Sequence, residues 1–208
     1  MTRQSSFGIC EVCGARSGKS AMAAHLRKCL PRERKGAMVD ALMIRVQAAA
    51  APRYWMDCAV RIDATLKHLD TLLRRTWLEC CGHLSEFSVG KHRRVGLSVS
   101  IARALASAEK QLCYEYDFGS TTALVVSDSG VLGVALGTPI RVLARNEPLV
   151  WPCDVCGAPA TQICSQCAYD DLGFCCATHV QGHRCGSDML LPVVNSPRMG
   201  VCGYTGES

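Results

Sequence analysis

The chain lacks the apolar segments with which proteins enter or cross membranes. Its first ten residues, MTRQSSFGIC, contain no apolar core of a signal peptide. The longest weakly apolar stretch, residues 37–51, is interrupted by Asp40 and Arg45 and is too short to span a bilayer. We therefore expect a protein that makes no membrane contact and resides in the cytoplasm.

A strong charge of either sign is also absent. The formal net charge is +5, from 23 Lys and Arg against 18 Asp and Glu. This balance permits contact with an acidic partner, but it does not by itself indicate a nucleic-acid-binding protein. Hydrophobic residues make up 49% of the chain, which excludes a disordered protein, and 208 residues suffice for one ordinary domain with small modules.

Cysteine, in contrast, is abundant, with 15 residues in the chain. In a secreted protein this number would indicate a disulfide scaffold. Here the cysteines occur as Cys-x2-Cys pairs close to histidines, which is the spacing of metal sites. A reducing cytosol is consistent with such thiols, so we interpret most of the cysteines as metal ligands.

The last third of the chain carries a dense set of ligand residues. Eight of them form four pairs within 33 residues: Cys153, Cys156, Cys164, Cys167, Cys176, His179, His183 and Cys185. Thiolate and imidazole are the ligands of tetrahedral Zn²⁺. We predict two zinc ions, with pairs one and three holding the first ion and pairs two and four the second. So short a segment buries too little apolar surface to fold alone, and the metals are expected to stabilise it.

A further set of ligands lies near the N-terminus. Cys10, Cys13, His25 and Cys29 have the spacing of a small finger in which Cys replaces the last His. Residues 20–29 are Ala-rich and should be helical, which places His25 and Cys29 on one helix face. Gly14 supplies the permissive backbone that the turn after Cys13 needs. The sequence therefore predicts a third zinc ion in this segment.

The region between the two sets is the only one large enough for a conventional core. It shows strand patterns at 42–46, 54–62, 112–118, 122–127 and 140–144, and helix patterns from Asp63 to Gly82 and over 100–110. The first strand could equally be a helix on its Ala content. An apolar stripe on the first helix consists of Leu66, Leu69, Leu72, Leu73, Trp77 and Leu78.

These patterns predict an α+β protein in which a small central mixed domain is flanked by two zinc-finger modules. The expected boundaries are 1–36 for the first finger, 38–148 for the central domain, 149–190 for the double-zinc segment and 191–208 for a C-terminal tail. Pro148 and Pro152 flank the change in composition at the start of the double-zinc segment.

Parts of the chain resemble a known family. LRRTWLECCGHLSEF at 73–87, YEYDFGS at 114–120 and LPVVNSPRMGVCGY at 191–204 look like the plasmid pRi ORF-three-like family. That family is named for a reading frame on a root-inducing plasmid, and its relatives travel as passengers of insertion sequences. The resemblance implies an α+β core and a link to plasmids and mobile elements. Some members are labelled resolvases, which need a nucleophilic Ser or Tyr within an Arg-rich site, but the family pattern gives no such set to place on this chain.

The eight-ligand segment separately resembles AN1-type zinc fingers, whose two sites are cross-braced and which share the ending C-x2-H…H-x-C. This chain departs from the AN1 pattern in the number of residues between its pairs. The resemblance implies that Cys176 is a ligand, because only Cys176, and not the adjacent Cys175, has the x2 spacing to His179. Cys175 is then expected to pack inward beside Phe174.

Six cysteines have no place in these motifs: Cys58, Cys80, Cys81, Cys113, Cys175 and Cys202. A thiolate in Cys80-Cys81-Gly82-His83 would be a candidate nucleophile or redox pair. Its predicted position at a helix C-terminus raises rather than lowers a thiol pKa, so we interpret these cysteines as core residues. A carboxylate site near Tyr116 would combine Glu79, Glu86, Glu115 and Asp117.

Two functional hypotheses follow. The first is a non-enzymatic zinc-binding protein, because every predicted site is a closed set of four ligands with no open position for catalysis. Its N-terminal finger would contact nucleic acid through a basic flank, and its C-terminal module would contact protein. The basic flank consists of Arg27, Lys28, Arg32, Arg34 and Lys35. The alternative is an enzyme that uses Cys81 and His83 or the carboxylates near Tyr116.

Overall fold

The computed structural model describes residues 6–32, 38–90, 93–170 and 172–206. The chain forms two compact units, which we call the sheet unit and the cysteine-rich unit. The sheet unit comprises Met1–Leu73 and Leu84–Glu147, and the cysteine-rich unit comprises Arg74–His83 and Pro148–Ser208. The short segment Arg74–His83 therefore belongs with the C-terminal part of the chain.

Among its described residues, the sheet unit contains one antiparallel sheet of nine strands, together with three α-helices. In chain order the strands are β1 (Phe7–Cys10), β2 (Arg16–Gly18), β3 (Met38–Ala48), β4 (Trp55–Val60), β5 (Ser85–Val89), β6 (Arg93–Val95), β7 (Gln111–Tyr116), β8 (Thr122–Ala135) and β9 (Ile140–Asn146). Their order across the sheet is β2-β1-β9-β4-β3-β8-β7-β5-β6. The helices are α1 (Lys19–Cys29), α2 (Leu66–Leu73) and α3 (Ile101–Ala106).

Helix α1 covers one face of the sheet. Its side chains Met22 and Leu26 pack in a buried cluster with Met43 of β3, Trp55 of β4 and Leu143 of β9. All six residues of β4 are buried, which requires cover on both faces of this central strand. The helix that carries two predicted metal ligands is therefore also part of the main core of this unit.

Helix α2 lies against the sheet through a buried carboxylate. Asp70 accepts hydrogen bonds from the hydroxyl of Tyr114 on β7, at 2.7 Å, and from the hydroxyl of Ser85 on β5, at 2.6 Å. Tyr114 lies opposite Leu124, and Leu124 lies opposite Ala48, so these side chains share a face. Trp55 is paired with Gln47, the residue before Ala48, and successive residues of a strand point to opposite faces of the sheet. Trp55 and α1 therefore lie on the other face.

The predicted α+β class is confirmed, and the five predicted strands are present as β3, β4, β7, β8 and β9. The ambiguous first segment is a strand, and β8 continues to Ala135. The predicted apolar stripe from Leu66 to Leu78 is buried. The α-helix nevertheless ends at Leu73, and Arg74–Leu78 form a π-helical turn in which the amide of Glu79 donates to the carbonyl of Arg74 at 2.9 Å.

The predicted N-terminal finger is built into the sheet. Its strands β1 and β2 form the edge opposite β6, and β1 pairs with β9 through residues Gly8, Ile9 and Cys10. Sequence patterns had not indicated β1, β2, β5 or β6, each of which has only three to five residues and too few side chains for a clear alternation.

The cysteine-rich unit has little regular structure. It contains a three-stranded sheet in the order β11-β10-β12, formed by β10 (Gln162–Cys164), β11 (Phe174–Cys175) and β12 (Leu190–Pro192). Among the described residues of the segment 148–192, Ile163 is the only buried apolar side chain that is not a cysteine. Apolar packing alone therefore cannot account for a stable fold of this segment.

No helix in the described part of the chain is both long enough and apolar enough to cross a membrane.

Candidate metal centres

The structure gathers sixteen Cys and His residues into four clusters of four. We call them the N-terminal cluster (Cys10, Cys13, His25, Cys29), the first C-terminal cluster (Cys153, Cys156, Cys176, His179), the second C-terminal cluster (Cys164, Cys167, His183, Cys185) and the tail cluster (Cys80, Cys81, His83, Cys202). Within each cluster the candidate ligand atoms lie within 4.8 Å of one another. The first three clusters are the sets that the sequence predicts.

The sulfur–sulfur distances are those of a shared tetrahedral ion. Cys10 and Cys29 Sγ are 4.0 Å apart, and Cys156 and Cys176 Sγ are 3.8 Å apart. Two thiolates bound to one Zn²⁺ at about 2.3 Å lie about 3.8 Å from each other, whereas a disulfide needs about 2.05 Å. The cysteines are free thiols arranged as ligands rather than as cross-links.

The N-terminal cluster combines a tight turn with one helix face. The amide of Gly14, at a φ of 71°, donates to the carbonyl of Cys10 at 2.8 Å and closes the turn that carries Cys13. Helix α1 presents His25 and Cys29 one turn apart, and His25 Nε2 lies 3.3 Å from Cys13 Sγ. Cys10 is fully buried in the core beneath α1, so this cluster is part of the packing of the sheet unit.

The pKa values of Cys13 and Cys29 in this cluster are shifted in opposite directions. The backbone amide of Ala15 lowers the pKa of Cys13 below its ordinary value. Burial, together with the neighbouring sulfur of Cys13, raises the pKa of Cys29 to about 12. Thiolates this close together repel one another, so a nearby positive charge favours their joint ionisation. A divalent cation bound to the cluster would supply that charge.

The first C-terminal cluster repeats the turn geometry. Gly157, at a φ of 74°, donates its amide to the carbonyl of Cys153 at 2.8 Å. The amide of Cys176 lowers the pKa of Cys153 to about 6, since a backbone donor favours the thiolate. His179 Nδ1 lies 3.6 Å from Cys153 Sγ and 3.3 Å from Cys176 Sγ.

Cys175 ends β11 and Cys176 follows it. Of these two cysteines, the structure places Cys176 in the first C-terminal cluster. The sulfur of Cys175 instead points to the carbonyl of Gly173 at 3.6 Å and lies 3.7 Å from Nδ1 of His183. Both cysteines are buried, so burial does not separate them. Their surroundings agree with the assignment that the AN1 resemblance implies.

The second C-terminal cluster is interleaved with the first. Cys164 ends β10, Cys167 begins the following 3-10 turn, and Cys185 Sγ and His183 Nε2 each lie 3.6 Å from Cys167 Sγ. Burial raises the pKa of Cys164, but the amide of Cys167 and the ring of His183 outweigh it and bring the value to about 7. The structure thus pairs the ligands one-with-three and two-with-four, as the spacing predicts.

Gly173 is the residue that lets the two C-terminal clusters approach each other. Its φ is 101°, and a Cβ at this position would lie 2.9 Å from Cys167 Cβ and 3.1 Å from Cys164 Cβ. Its amide also donates to the side chain of Asp154, which follows Cys153, at 2.6 Å. One backbone position therefore links ligands of both clusters.

We predict that Gly173→Ala disrupts the second C-terminal cluster. The substitution adds about 1–3 kcal/mol of backbone strain, and the new methyl group displaces Cys164 or Cys167. Zinc affinity, measured by competition with a chromogenic chelator, should fall by at least about tenfold. Gly182→Ala is the matched control, since a Cβ there meets nothing within 4 Å and the φ is ordinary. Equal zinc affinity in both variants would contradict the prediction.

The tail cluster was not predicted, and the interpretation of Cys81 as a core residue is wrong. Cys81 is exposed, and its sulfur lies 3.0 Å from His83 Nε2 and 3.8 Å from Cys202 Sγ. The guanidinium of Arg74 donates to the carboxylate of Glu79 at 2.9 Å and to the carbonyl of His83 at 2.8 Å, which organises the loop between them. The C-C-x-H spacing was the only local signal, and its fourth member lies far away in the sequence.

The basic flank is described only in part. Arg27 and Lys28 occupy the last turn of α1 and are exposed. The guanidinium of Arg27 donates to the carbonyl of Val131 at 3.0 Å and to that of Ser129, so it ties α1 to β8. The side chain of Arg32 and the whole of Arg34 and Lys35 lie outside the described part of the chain.

Three of the four carboxylates named near Tyr116, namely Glu79, Glu86 and Asp117, have structural partners. Glu86 of β5 lies opposite Glu115 of β7 and forms an ion pair with Arg94 at 2.8 Å. Asp117, at a φ of 62°, accepts a hydrogen bond from the amide of Gly119 at 3.0 Å and so shapes the β7–β8 turn. These contacts are those of a sheet edge and a turn.

Comparisons with known proteins add little. No family model matches the chain, and no curated protein matches it. Among solved structures the chain is similar to one described as "Crystal Structure of Protein of Unknown Function MM3350 from Methanosarcina mazei Go1". The TM-score is 0.40 and the identity 20%, over 50% of this chain and 67% of that one. A TM-score this low carries no conclusion on fold or function.

Proposed function

We propose that this protein is a non-enzymatic zinc-binding protein that presents a surface for a macromolecular partner. The observation that carries the proposal is that each cluster contains four Cys or His ligands and is therefore complete. Catalytic zinc sites keep a position for water or substrate, whereas structural sites are closed by four protein ligands. In this proposal the N-terminal cluster is a C2HC finger, and the two C-terminal clusters form a cross-braced module.

The ligand chemistry favours zinc over other metals. The three predicted clusters contain three thiols and one imidazole each, and soft ligands in a tetrahedral arrangement select Zn²⁺ rather than Mg²⁺ or Ca²⁺. We propose one zinc ion in each of these clusters. Thiolate ligands also need a reducing compartment, which agrees with the expected cytoplasmic location.

We propose nucleic acid as the partner of the N-terminal cluster. The last turn of α1 places Arg27 and Lys28 directly before Arg32, Arg34 and Lys35 in the sequence, which concentrates five positive charges in nine residues. Such a stretch next to a zinc finger suits contact with phosphates, which need no sequence-specific geometry. The resemblance of residues 73–87 and 114–120 to the plasmid pRi ORF-three-like family supports a role connected with plasmids and mobile elements.

The nucleic-acid proposal is tested by removing basic charges of the flank other than Arg27. We predict that changing Lys28, Arg32, Arg34 and Lys35 together to Ala weakens binding to double-stranded DNA or RNA at low salt. The dependence of log affinity on log salt concentration should become less steep by up to about 3–4 units, which is close to one unit for each lost phosphate contact. Fluorescence anisotropy over a salt series measures both quantities.

Two comparisons make this experiment decisive. Arg27 is kept in the test variant, because its contacts with β8 give it a structural role. The control variant removes four exposed charges elsewhere, namely Lys67, Arg75, Arg103 and Lys110. Equal loss of binding in both variants would show a non-specific charge effect. A wild-type chain that binds neither DNA nor RNA at low salt would contradict the proposal and leave a protein partner in its place.

A further inference from the structure

The tail cluster joins two parts of the cysteine-rich unit that are distant in sequence. Cys80, Cys81 and His83 follow the π-helical turn, whereas Cys202 lies 119 residues after His83. Cys80 and Cys81 Sγ are 3.7 Å apart, and His83 Nε2 lies 3.2 Å from Cys202 Sγ. These distances are close to those of the three predicted clusters, although no local sequence pattern groups these four residues.

The C-terminal tail is held near this segment by contacts other than the cysteines. The hydroxyl of Ser196 donates a hydrogen bond to the carbonyl of Trp77 at 2.6 Å and accepts one from the backbone amide of Arg198 at 2.9 Å. Arg198 is fully buried, and Tyr204 is 1% exposed. The tail is thus packed on both sides of Cys202, at Arg198 and at Tyr204.

The backbone at Cys202 is an independent sign of a specific role. Its φ is 50°, in the left-handed region that a side chain bearing a Cβ seldom adopts. Such a conformation costs free energy and persists where the surroundings require it. Gly203 also has a positive φ, of 68°, so the chain reverses here and presents the Cys202 thiol to His83 and Cys81.

We propose that Cys80, Cys81, His83 and Cys202 bind a fourth zinc ion, which fastens the C-terminal tail to the segment Arg74–His83. The ligand set, three thiols and one imidazole, is that of the other clusters. This inference rests on the proposed use of zinc by the protein, but it concerns a site that the other three do not require.

The fourth ion is also the most exchangeable. Each of the other clusters contains at least one buried thiol, namely Cys10, Cys153 with Cys176, or Cys164. The tail cluster contains none: Cys81 and Cys202 are exposed, and Cys80 and His83 are only partly buried. A chelator or an accepting apoprotein can therefore remove this ion by displacing accessible ligands, whereas release of each other ion also requires the detachment of a buried thiol.

Zinc stoichiometry tests the site directly. Native mass spectrometry of the full chain should show four zinc ions in the wild type and three in Cys202→Ser. Cys113→Ser, a partly buried cysteine of β7 that belongs to none of the described clusters, should retain four. Circular dichroism checks that the variants remain folded, which is expected because Cys202 is exposed. Three ions in both the wild type and Cys202→Ser would contradict the fourth site but leave the proposed function intact. A wild type without zinc would contradict both.

Release kinetics test the exchangeability. With excess chromogenic chelator under native conditions, the wild type should release one ion in a fast phase and the rest slowly. Cys202→Ser should lack the fast phase, and Cys113→Ser should keep it. A fast phase of unchanged amplitude in Cys202→Ser would contradict the assignment, since the released ion would then come from another cluster.

Discussion

Cys176→Ala is expected to release zinc from the C-terminal segment and unfold residues 148–192, whereas the adjacent Cys175→Ala should leave both ions bound. The two substitutions remove the same atom from neighbouring buried residues. Only Cys176 belongs to a cluster, where its sulfur lies 3.8 Å from Cys156 Sγ and 3.3 Å from His179 Nδ1. The pair therefore separates ligand loss from the loss of a buried side chain.

The expected effect is large because little else holds this segment together. Its only buried apolar side chain among the described residues, cysteines aside, is Ile163. Structural zinc sites contribute about 10–16 kcal/mol at neutral pH, which is comparable with or larger than the whole stability of a domain, about 5–15 kcal/mol. The two clusters are also coupled, because Gly173 packs against Cys164 and Cys167 while its amide binds Asp154 beside Cys153.

Zinc counting and amide hydrogen exchange measure this outcome. In Cys176→Ala the amides of β10 and β11, including those of Ile163 and Cys175, should lose protection. In Cys175→Ala they should remain protected, with a zinc affinity lowered by at most about 10- to 100-fold through the contact with His183. Loss of both ions in Cys175→Ala with retention in Cys176→Ala would reverse the ligand assignment.

Cys10→Ala is the second substitution with a large expected effect, this time in the sheet unit. The thiol of Cys10 is fully buried between strand β1 and helix α1, and it belongs both to the N-terminal cluster and to the apolar core. Without it the cluster has three ligands, and Cys13 alone joins the turn at Gly14 to His25 and Cys29. We expect a loss of one zinc ion and of more than about 4 kcal/mol in the free energy of unfolding.

Cys58→Ala provides the matched control. Cys58 is also fully buried, in β4 of the same unit, and lies in none of the described clusters. Burial raises the pKa of its thiol far above the ordinary value, so it acts as a small apolar group. Its loss should cost about 1–2 kcal/mol and no zinc. Urea denaturation with parallel zinc analysis compares the two, and equal destabilisation with an unchanged zinc content would contradict the role given to Cys10.

Much of the fold follows from local sequence patterns. The alternation of Leu112, Tyr114 and Tyr116 identifies β7, and the period of Leu66, Leu69 and Leu73 identifies α2, because each pattern repeats within one element. The π-helical turn at Arg74–Leu78 was missed, since it buries the same residues as a continuing α-helix. The pairing of β1 with β9 was missed as well, because it joins residues more than 130 positions apart.

The candidate metal sites also differ in whether their ligands follow a local sequence pattern. The sequence by itself determined the N-terminal and the two C-terminal clusters, because their ligands lie within short loops or on one helix turn, where spacing alone dictates geometry. Only the tertiary structure decided the role of Cys80, Cys81 and His83. Their fourth partner, Cys202, is brought to them by the packing of Ser196 on the carbonyl of Trp77 and by the left-handed backbone of the tail. Contacts between residues so far apart depend on the whole fold, and no local spacing encodes them.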